Sequence, residues 1–522
     1  MSKEKPINFF GGISDDVRSR NGVAMVKHFE IFSNPQRLTP FRSSEADHAT
    51  NVSSTAAKAF NILHFQHATT GLLYGLGVNG SGYPKVLRKA DPTTGNWLAS
   101  DGSNAATAIG EGNAARITGS FIEHALNFWG FQGTNQIWKV LISTGVITNS
   151  VATVGSTITS VAQSVFGADG NLYMFYNNKV VRVSPAGAVT DDILGSTLPA
   201  DMRITSVARW GSYLAIGMAY GTSNTAPPTG RSQVYLWDYV TTTTVYDVIQ
   251  WGEGTLTVLG NVEENLIGVT NKYLETPSGL TSLALGNGSM VIRQWNGGVP
   301  RIVKEVVGNQ VVTLGRFIKD VVIKDNKMHW VASIPMNQSS ATESTYHLGI
   351  WAYGRKNSLT DYALSLAYIE EGVDTSNFKI NSFGNAGNYW FINHSADGSI
   401  AKTDDSANYT FTSIVESNII NDGDPSQLKK LDKVYLTFAP LPTAGQIVLK
   451  YRKDEETSYT TLYTYTTDNA ITHSTANVES SGVNLPDYNE IQFQATSVGG
   501  AELTGGKYIS HPMPNNPSVA NG

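Results

Sequence analysis

The chain has no cysteine among its 522 residues, which excludes disulfides and thiolate metal sites and suits assembly in a reducing cytoplasm. Charge is scarce as well. Asp, Glu, Lys and Arg make up 15% of the residues, where about a quarter is usual, and the formal net charge is −6. With no dense Lys/Arg run, general binding to a phosphate backbone is not indicated. No stretch approaches about 18 uninterrupted apolar residues, and the opening MSKEKPINFFGG has no apolar h-region, so a soluble protein without a Sec-type signal or membrane insertion is expected. Long amphipathic helical patterns are missing too, STAAKAFNIL near residue 54 being the best candidate for a short helix. Walker, HExxH, GxSxG and EF-hand motifs are absent.

Apolar residues reach 41%, with 50 glycines and many Ser, Thr and Asn residues, a β-rich and turn-rich composition too apolar for disorder. The length favours several domains or one large repetitive one. GADGNLYMFYNNKVVRVSPAG, residues 167–187, reads as strand, tight turn, strand and Pro-Gly stop. Approximate copies recur, so that Leu73, Phe128, Tyr173, Leu214, Met290, Trp330 and Trp390 begin apolar alternating runs roughly 40 to 75 residues apart. Further β-like runs, ARITGSFIEH, TSVAQSVFG, MRITSVARWG and GRFIKDVVIKD, lead into the next copy. A run, a hairpin and a looser fourth run make a four-stranded propeller blade of about 40 to 50 residues. The expected fold is all-β: a propeller of about seven blades over 61–420, a small β-sandwich over 427–512 and a flexible tail at 513–522. NDGDPS at 421–426 reads as the linker, and the YRKDEE turn as a solvated hairpin end. Residues 1–60 read as an extended arm that wraps the propeller or reaches a neighbouring subunit. Deleting residues 1–45 is then expected to leave a folded monomer that no longer assembles.

The 167–187 stretch is similar to the blade consensus of NHL-type and related β-propellers, with its DG turn and polar-Pro-x-Gly stop. TDDSANYTF from Thr403 looks like a degenerate Asp-box turn of sialidase-like propellers and serves as a turn cue. The N-terminal segment resembles the openings of tailed-bacteriophage virion proteins. The FxGG-I-x-D start is carried by Phe10, Gly11, Gly12, Ile13 and Asp15, and S-N-P-x-x-L-x-P-x-R by Ser33, Asn34, Pro35, Leu38, Pro40 and Arg42. VYLTFAPLPTAGQIVLKYRKDEE likewise resembles the terminal sandwich of phage tail proteins built around a central propeller. The resemblance implies a non-enzymatic structural protein of the virion tail, made in the host bacterial cytoplasm. As in tail nozzle proteins, it implies a six-fold ring of identical copies that contacts other tail proteins and lets DNA pass. The acidic net charge suits such passage, because like charge disfavours phosphate adsorption. The alternative is a carbohydrate-binding or carbohydrate-cleaving propeller used in adhesion to the host surface.

Candidate chemistry is thin. His64 and His67 stand at i and i+3 of a predicted strand and so point to opposite faces, against a shared metal ion. The carboxylate pairs Asp15/Asp16, Asp191/Asp192 and Asp404/Asp405 fall in turns, where local backbone hydrogen bonds are the ordinary use. DGDPSQLKKLD from Asp422 shares only two acidic positions with a calcium loop. The arginines Arg88, Arg116, Arg182, Arg203, Arg209, Arg231, Arg293, Arg301, Arg316 and Arg355 form no motif. No catalytic, cofactor or metal residue is assigned. Of the ten tryptophans, Trp129, Trp138, Trp237, Trp330, Trp351 and Trp390 are expected in the core. Trp97, Trp251 and Trp295, in or beside glycine turns, are expected to be exposed.

Overall fold

The computed structural model describes residues 4–9, 23–27, 29–30, 37–40, 44–47, 61–78, 84–93, 97–99, 118–132, 135–220, 231–273, 288–309, 321–335, 346–355, 362–369, 380–394, 400–403, 412–467, 474–477 and 485–513. Among these, seven four-stranded antiparallel sheets follow one another along the chain: 61–99, 118–153, 161–190, 202–253, 255–309, 322–369, and 380–403 completed by 44–46. They are blades one to seven of a β-propeller. The innermost strands of blades one to five touch in sequence, and that of blade seven touches blade one. Lys324 of blade six donates to the Gly387 carbonyl of blade seven at 3.1 Å, which continues the ring.

Alternation explains why the blades read as apolar runs. In Leu172–Tyr176 every residue is buried. Leu172, Met174 and Tyr176 pack with Trp129, Phe131 and Ile137 of blade two, while Tyr173 and Phe175 pack with Ile204, Ile216 and Trp237 of blade four. A strand that points its side chains to opposite faces must be apolar at every position when a neighbouring blade covers both. Each such side chain gains about 1.5–3 kcal/mol from burial. The preceding turn is tight: Asp169 accepts from the Asn171 backbone N–H at 3.2 Å and the Tyr173 hydroxyl at 2.6 Å, and Gly170 takes φ +79°.

The seven sequence copies fall one to a blade. In six of them the quoted residue lies on the blade's second strand, but Met290 lies on the third strand of blade five, Gly288–Trp295. The second, Asn265–Tyr273, is masked in the sequence because NLIGVTNKY mixes polar residues into its apolar pattern, which accounts for the widest apparent gap between copies. Five of the six tryptophans expected in the core are buried; Trp390 is half-buried. The helix expected at STAAKAFNIL lies outside the described residues except for 61–63, which are strand.

The chain divides into two units, 1–43 with 336–369 and 404–522, and 44–335 with 370–403. The first holds the sandwich. One sheet has the order Lys5–Ile7, Leu503–Pro512, Lys429–Phe438, Ser474–Asn477, with Asp487–Tyr488 also on Lys429–Phe438. The other runs Val23–Lys27, Ser413–Ser417, Ile491–Val498, Gln446–Lys453, Thr460–Tyr465. Val434, Leu436, Leu449 and Phe493 meet in its core.

Two boundaries differ from the sequence reading. The sandwich is built from both ends of the chain: Ile7, Phe9, Val23, Val26, Phe29 and Leu38 belong to its core, and Ser413–Ser417 is one of its strands. The propeller, in turn, takes the outer strand of blade seven from Ser44–Ala46, which pairs with Ile400–Thr403. Short segments separated by polar runs carry too little periodicity to read as strands, yet each finds a partner strand that leaves an edge open.

Candidate functional site

Of the proposed assembly residues, Phe10, Gly11, Gly12, Asp15, Asn34, Pro35 and Arg42 lie outside the described residues. Leu38 is fully buried and bridges Leu503 in both directions, with N–H to carbonyl distances of 2.8 and 3.1 Å, and Pro40 is buried beside it. Both are buried within the chain itself.

The three tryptophans expected on the surface are buried. Trp97 donates to Asp47 at 2.6 Å, Trp295 donates to the Gly298 carbonyl at 2.8 Å, and Trp251 packs against Gly268, where a Cβ would lie 2.6 Å from its ring. Neighbouring glycines mark where the chain turns, but the indole reaches back under the blade. Trp97 belongs to the closure of the ring. Asp47 follows the closing strand, accepts from the Lys89 ammonium at 2.5 Å, and has Lys402 at 3.8 Å; Asp47 and Lys89 side chains are each 1% exposed.

His67 is exposed with Nε2 3.2 Å from the Gly71 carbonyl, and no cluster able to hold a metal ion occurs among the described residues. Asp191 accepts from the Gly155 N–H at 2.7 Å and from the Tyr176 hydroxyl at 3.0 Å, while Asp192 pairs with Lys179 at 2.6 Å. Asp15, Asp16, Asp404 and Asp405 lie outside the described residues. The segment read as a linker is an anchor instead. Asp422, 8% exposed, accepts from Lys5 at 2.9 Å, Tyr508 at 2.5 Å, Ser510 at 2.9 Å and Tyr488 at 3.0 Å. Burial alone would raise its pKa, but the hydrogen bonds from Tyr508, Lys5 and Ser510 together hold it below the ordinary carboxylate value.

Among the described residues, a candidate binding surface lies on blade four, in the loop over residues 238–246, DYVTTTTVY. The loop is clamped at several points. Asp238 accepts from the N–H groups of Val240 and Thr241 at 3.0 and 2.8 Å, which hold its carboxyl below the usual range. The Trp237 indole donates to the Thr241 carbonyl at 2.6 Å, and the Thr197 hydroxyl to the Thr242 carbonyl at 2.8 Å. Tyr239, at φ +66°, buries its ring 5.5 Å from both Tyr173 and Trp237. With the loop so held, Thr242–Thr244 and Tyr246 project outward, Tyr246 being 68% exposed.

Two features border this loop, a cavity toward blade three and a row of rings toward blade five. A cavity of about 360 Å³ is walled by residues 192–197, including the hydroxyls of Ser196 and Thr197, and by Thr242 and Thr243. A row of rings runs from Tyr246 to Tyr213 (4.6 Å between centroids), Trp210 (6.2 Å, stacked) and Trp295 of blade five (4.7 Å). Tyr213 and Trp210 give no signal in the sequence because each sits at a strand end inside an ordinary alternating run, and Tyr246 gives no periodic one because it lies in a polar loop just before its strand. The only cue was an aromatic residue closing a run of four threonines.

No family model and no curated protein matches the chain. Among solved structures, it is similar to a computationally designed protein, Ika8 (10% identity, TM-score 0.38, 67% of this chain and 98% of that one). It is also similar to the N-terminal domain of Nup159 (11%, TM-score 0.37, 71% and 96%) and to BBS1N in complex with ARL6DN (11%, TM-score 0.36, 72% and 98%). The propeller assignment rests on the order and pairing of the sheets.

Proposed function

We propose that the chain is a non-enzymatic structural component of a tailed-phage virion, part of a nozzle-like or tip-like ring of the tail. The observation that carries this reading is that both segments bearing the resemblance, the N-terminal arm and the 434–456 stretch, contribute strands to one sandwich. The two ends of the chain thus form a single unit, as an architectural role favours. Of the three carboxylate pairs only Asp191 and Asp192 fall among the described residues, and these engage main-chain, tyrosine and lysine partners. Copies of the chain form the ring, with six-fold order implied by the resemblance to nozzle proteins.

DNA would travel along the lumen of such a ring and not through one propeller. Gln163 of blade three reaches the Val321 carbonyl, just before blade six, at 3.4 Å across the channel. That leaves far less room than a duplex needs, whose major groove alone is about 12 Å wide. The net charge of −6 disfavours phosphate adsorption along the path.

The test is the solution mass by light scattering, for the chain alone and expressed with the tail proteins encoded beside it. A closed species at six times the 56.3 kDa chain mass, or a defined complex with a tail protein, is the expected result. A monomer that ignores every tail protein overturns the reading.

A further inference from the structure

The blade-four surface combines two elements rarely placed together by packing alone. The aromatic row offers ring faces at its outer end, where Tyr246 is 68% exposed and Tyr213 half-buried. Three residues before Tyr246, Thr243 borders the cavity, so the Cα atoms of these two residues lie at most about 11 Å apart. Packing does not require an exposed tyrosine here, since Val245 already anchors the loop to the core between blades three and four.

We infer that this surface binds a neutral glycan, one sugar ring lying on the outward face of Tyr246 and its neighbour hydrogen-bonding in the cavity. The C–H face of a pyranose is apolar and matches an aromatic face, while its rim of hydroxyls needs both donors and acceptors. Ser196, Thr242 and Thr243 supply hydroxyls that do either, while Thr197, whose proton goes to the Thr242 carbonyl, can still accept. The charge argues for a neutral ligand. Asp192 is the only charged side chain lining the cavity, and its carboxylate is paired with Lys179. Asp238 opens the loop and Asp247 follows it at the start of the next strand, so a sialic acid or a phosphate meets carboxylates and no lining cation. The clamps on the loop lower the ordering cost of binding. This inference is independent of the proposed tail role, which concerns assembly.

The experiment is saturation-transfer NMR and calorimetry on the full chain with malto-, cello-, manno- and galacto-oligosaccharides, with sialyllactose and inorganic phosphate as anionic controls. At least one neutral class is expected to bind, with Kd on the order of 0.1–1 mM. Tyr246→Ala should weaken it about tenfold or more, Tyr246→Phe should retain it, and the double change Thr242→Val with Thr243→Val should also weaken it. Because Tyr246 is exposed, its variants are expected to keep the β circular dichroism of the parent. No saturation by any neutral sugar up to about 10 mM overturns the inference. So does binding that Tyr246→Ala leaves unchanged, or a preference for either anionic control.

Discussion

Replacing Asp47 by alanine should unlatch the propeller. Its carboxylate, 1% exposed, takes the Lys89 ammonium at 2.5 Å on one oxygen and the Trp97 indole at 2.6 Å on the other, with the Lys402 ammonium at 3.8 Å. These partners come from blades one and seven, and Asp47 directly follows the strand that completes blade seven. Lys402 retains the Thr93 carbonyl at 3.0 Å, but Lys89 loses its carboxylate in a site with 1% side-chain exposure. Removing one member of a buried pair costs about 3–5 kcal/mol, because the other charge stays desolvated. A local opening made easier by about 4 kcal/mol is about a thousandfold in its equilibrium constant. The readout is hydrogen exchange of the amides in Ser44–Ala46 and Ile400–Thr403, since a two-unit chain gives no single unfolding free energy. Protection in these strands should fall by roughly three decades while Leu172–Tyr176 keeps its own. Replacing Asp47 and Lys89 together by apolar residues should recover much of the loss. A change below about tenfold at Ser44–Ala46 would refute the latch.

Three further outcomes follow from the same kind of contact. Deleting residues 1–45 should not give the folded monomer that the free-arm reading expects. It removes Ile7, Phe9, Val23, Val26, Phe29 and Leu38 from the sandwich core and Ser44 and Glu45 from blade seven, so both units should lose cooperative melting in calorimetry. Asp422→Asn should cost about 1–3 kcal/mol at neutral pH and flatten the acid limb of the stability curve. The Asp422 pKa is lower folded than unfolded, so its contribution is complete above the unfolded value of about 3.9 and is lost as pH falls through the folded one. Melting midpoints from pH 7 to 2 check this, and parallel curves for variant and parent would refute it. Gly268→Ala should cost about 1–3 kcal/mol, because the new Cβ would lie 2.6 Å from the Trp251 ring and 2.8 Å from Leu256. An unchanged thermal midpoint would contradict the tight packing.

The propeller was legible because each blade repeats the same physical demand: two apolar faces, a tight turn, and a gap of one blade before the next copy. Tyr173 and Trp237 announce themselves by alternation alone. The ends of the chain were not legible in that way. Lys5–Ile7 and Ser44–Ala46 are three residues each, too short for period 2 to register, and each owes its strand character to the edge it completes. The same limit governs single side chains. Trp97 and Tyr246 both stand near turn residues, yet one is buried against a carboxylate from a segment 50 residues earlier while the other projects into solvent. Local sequence gives the position of a turn, whereas the direction of a side chain depends on what a distant strand places beneath it.

The distribution of buried charge follows the same division. Asp47 and Asp422 each sit where a segment from the N-terminal region is stitched to a distant part of the chain: Asp47 beside Ile400–Thr403, Asp422 on Lys5 and Tyr508. An apolar residue at either place would bury as well but would accept several alternative partners, since apolar contact carries no direction. A carboxylate with two or more donors in fixed geometry admits one register and penalises a slipped strand with an unpaired charge. In a ring that closes only when its first strand finds its last blade, that penalty separates the closed propeller from an open one able to pair with another copy.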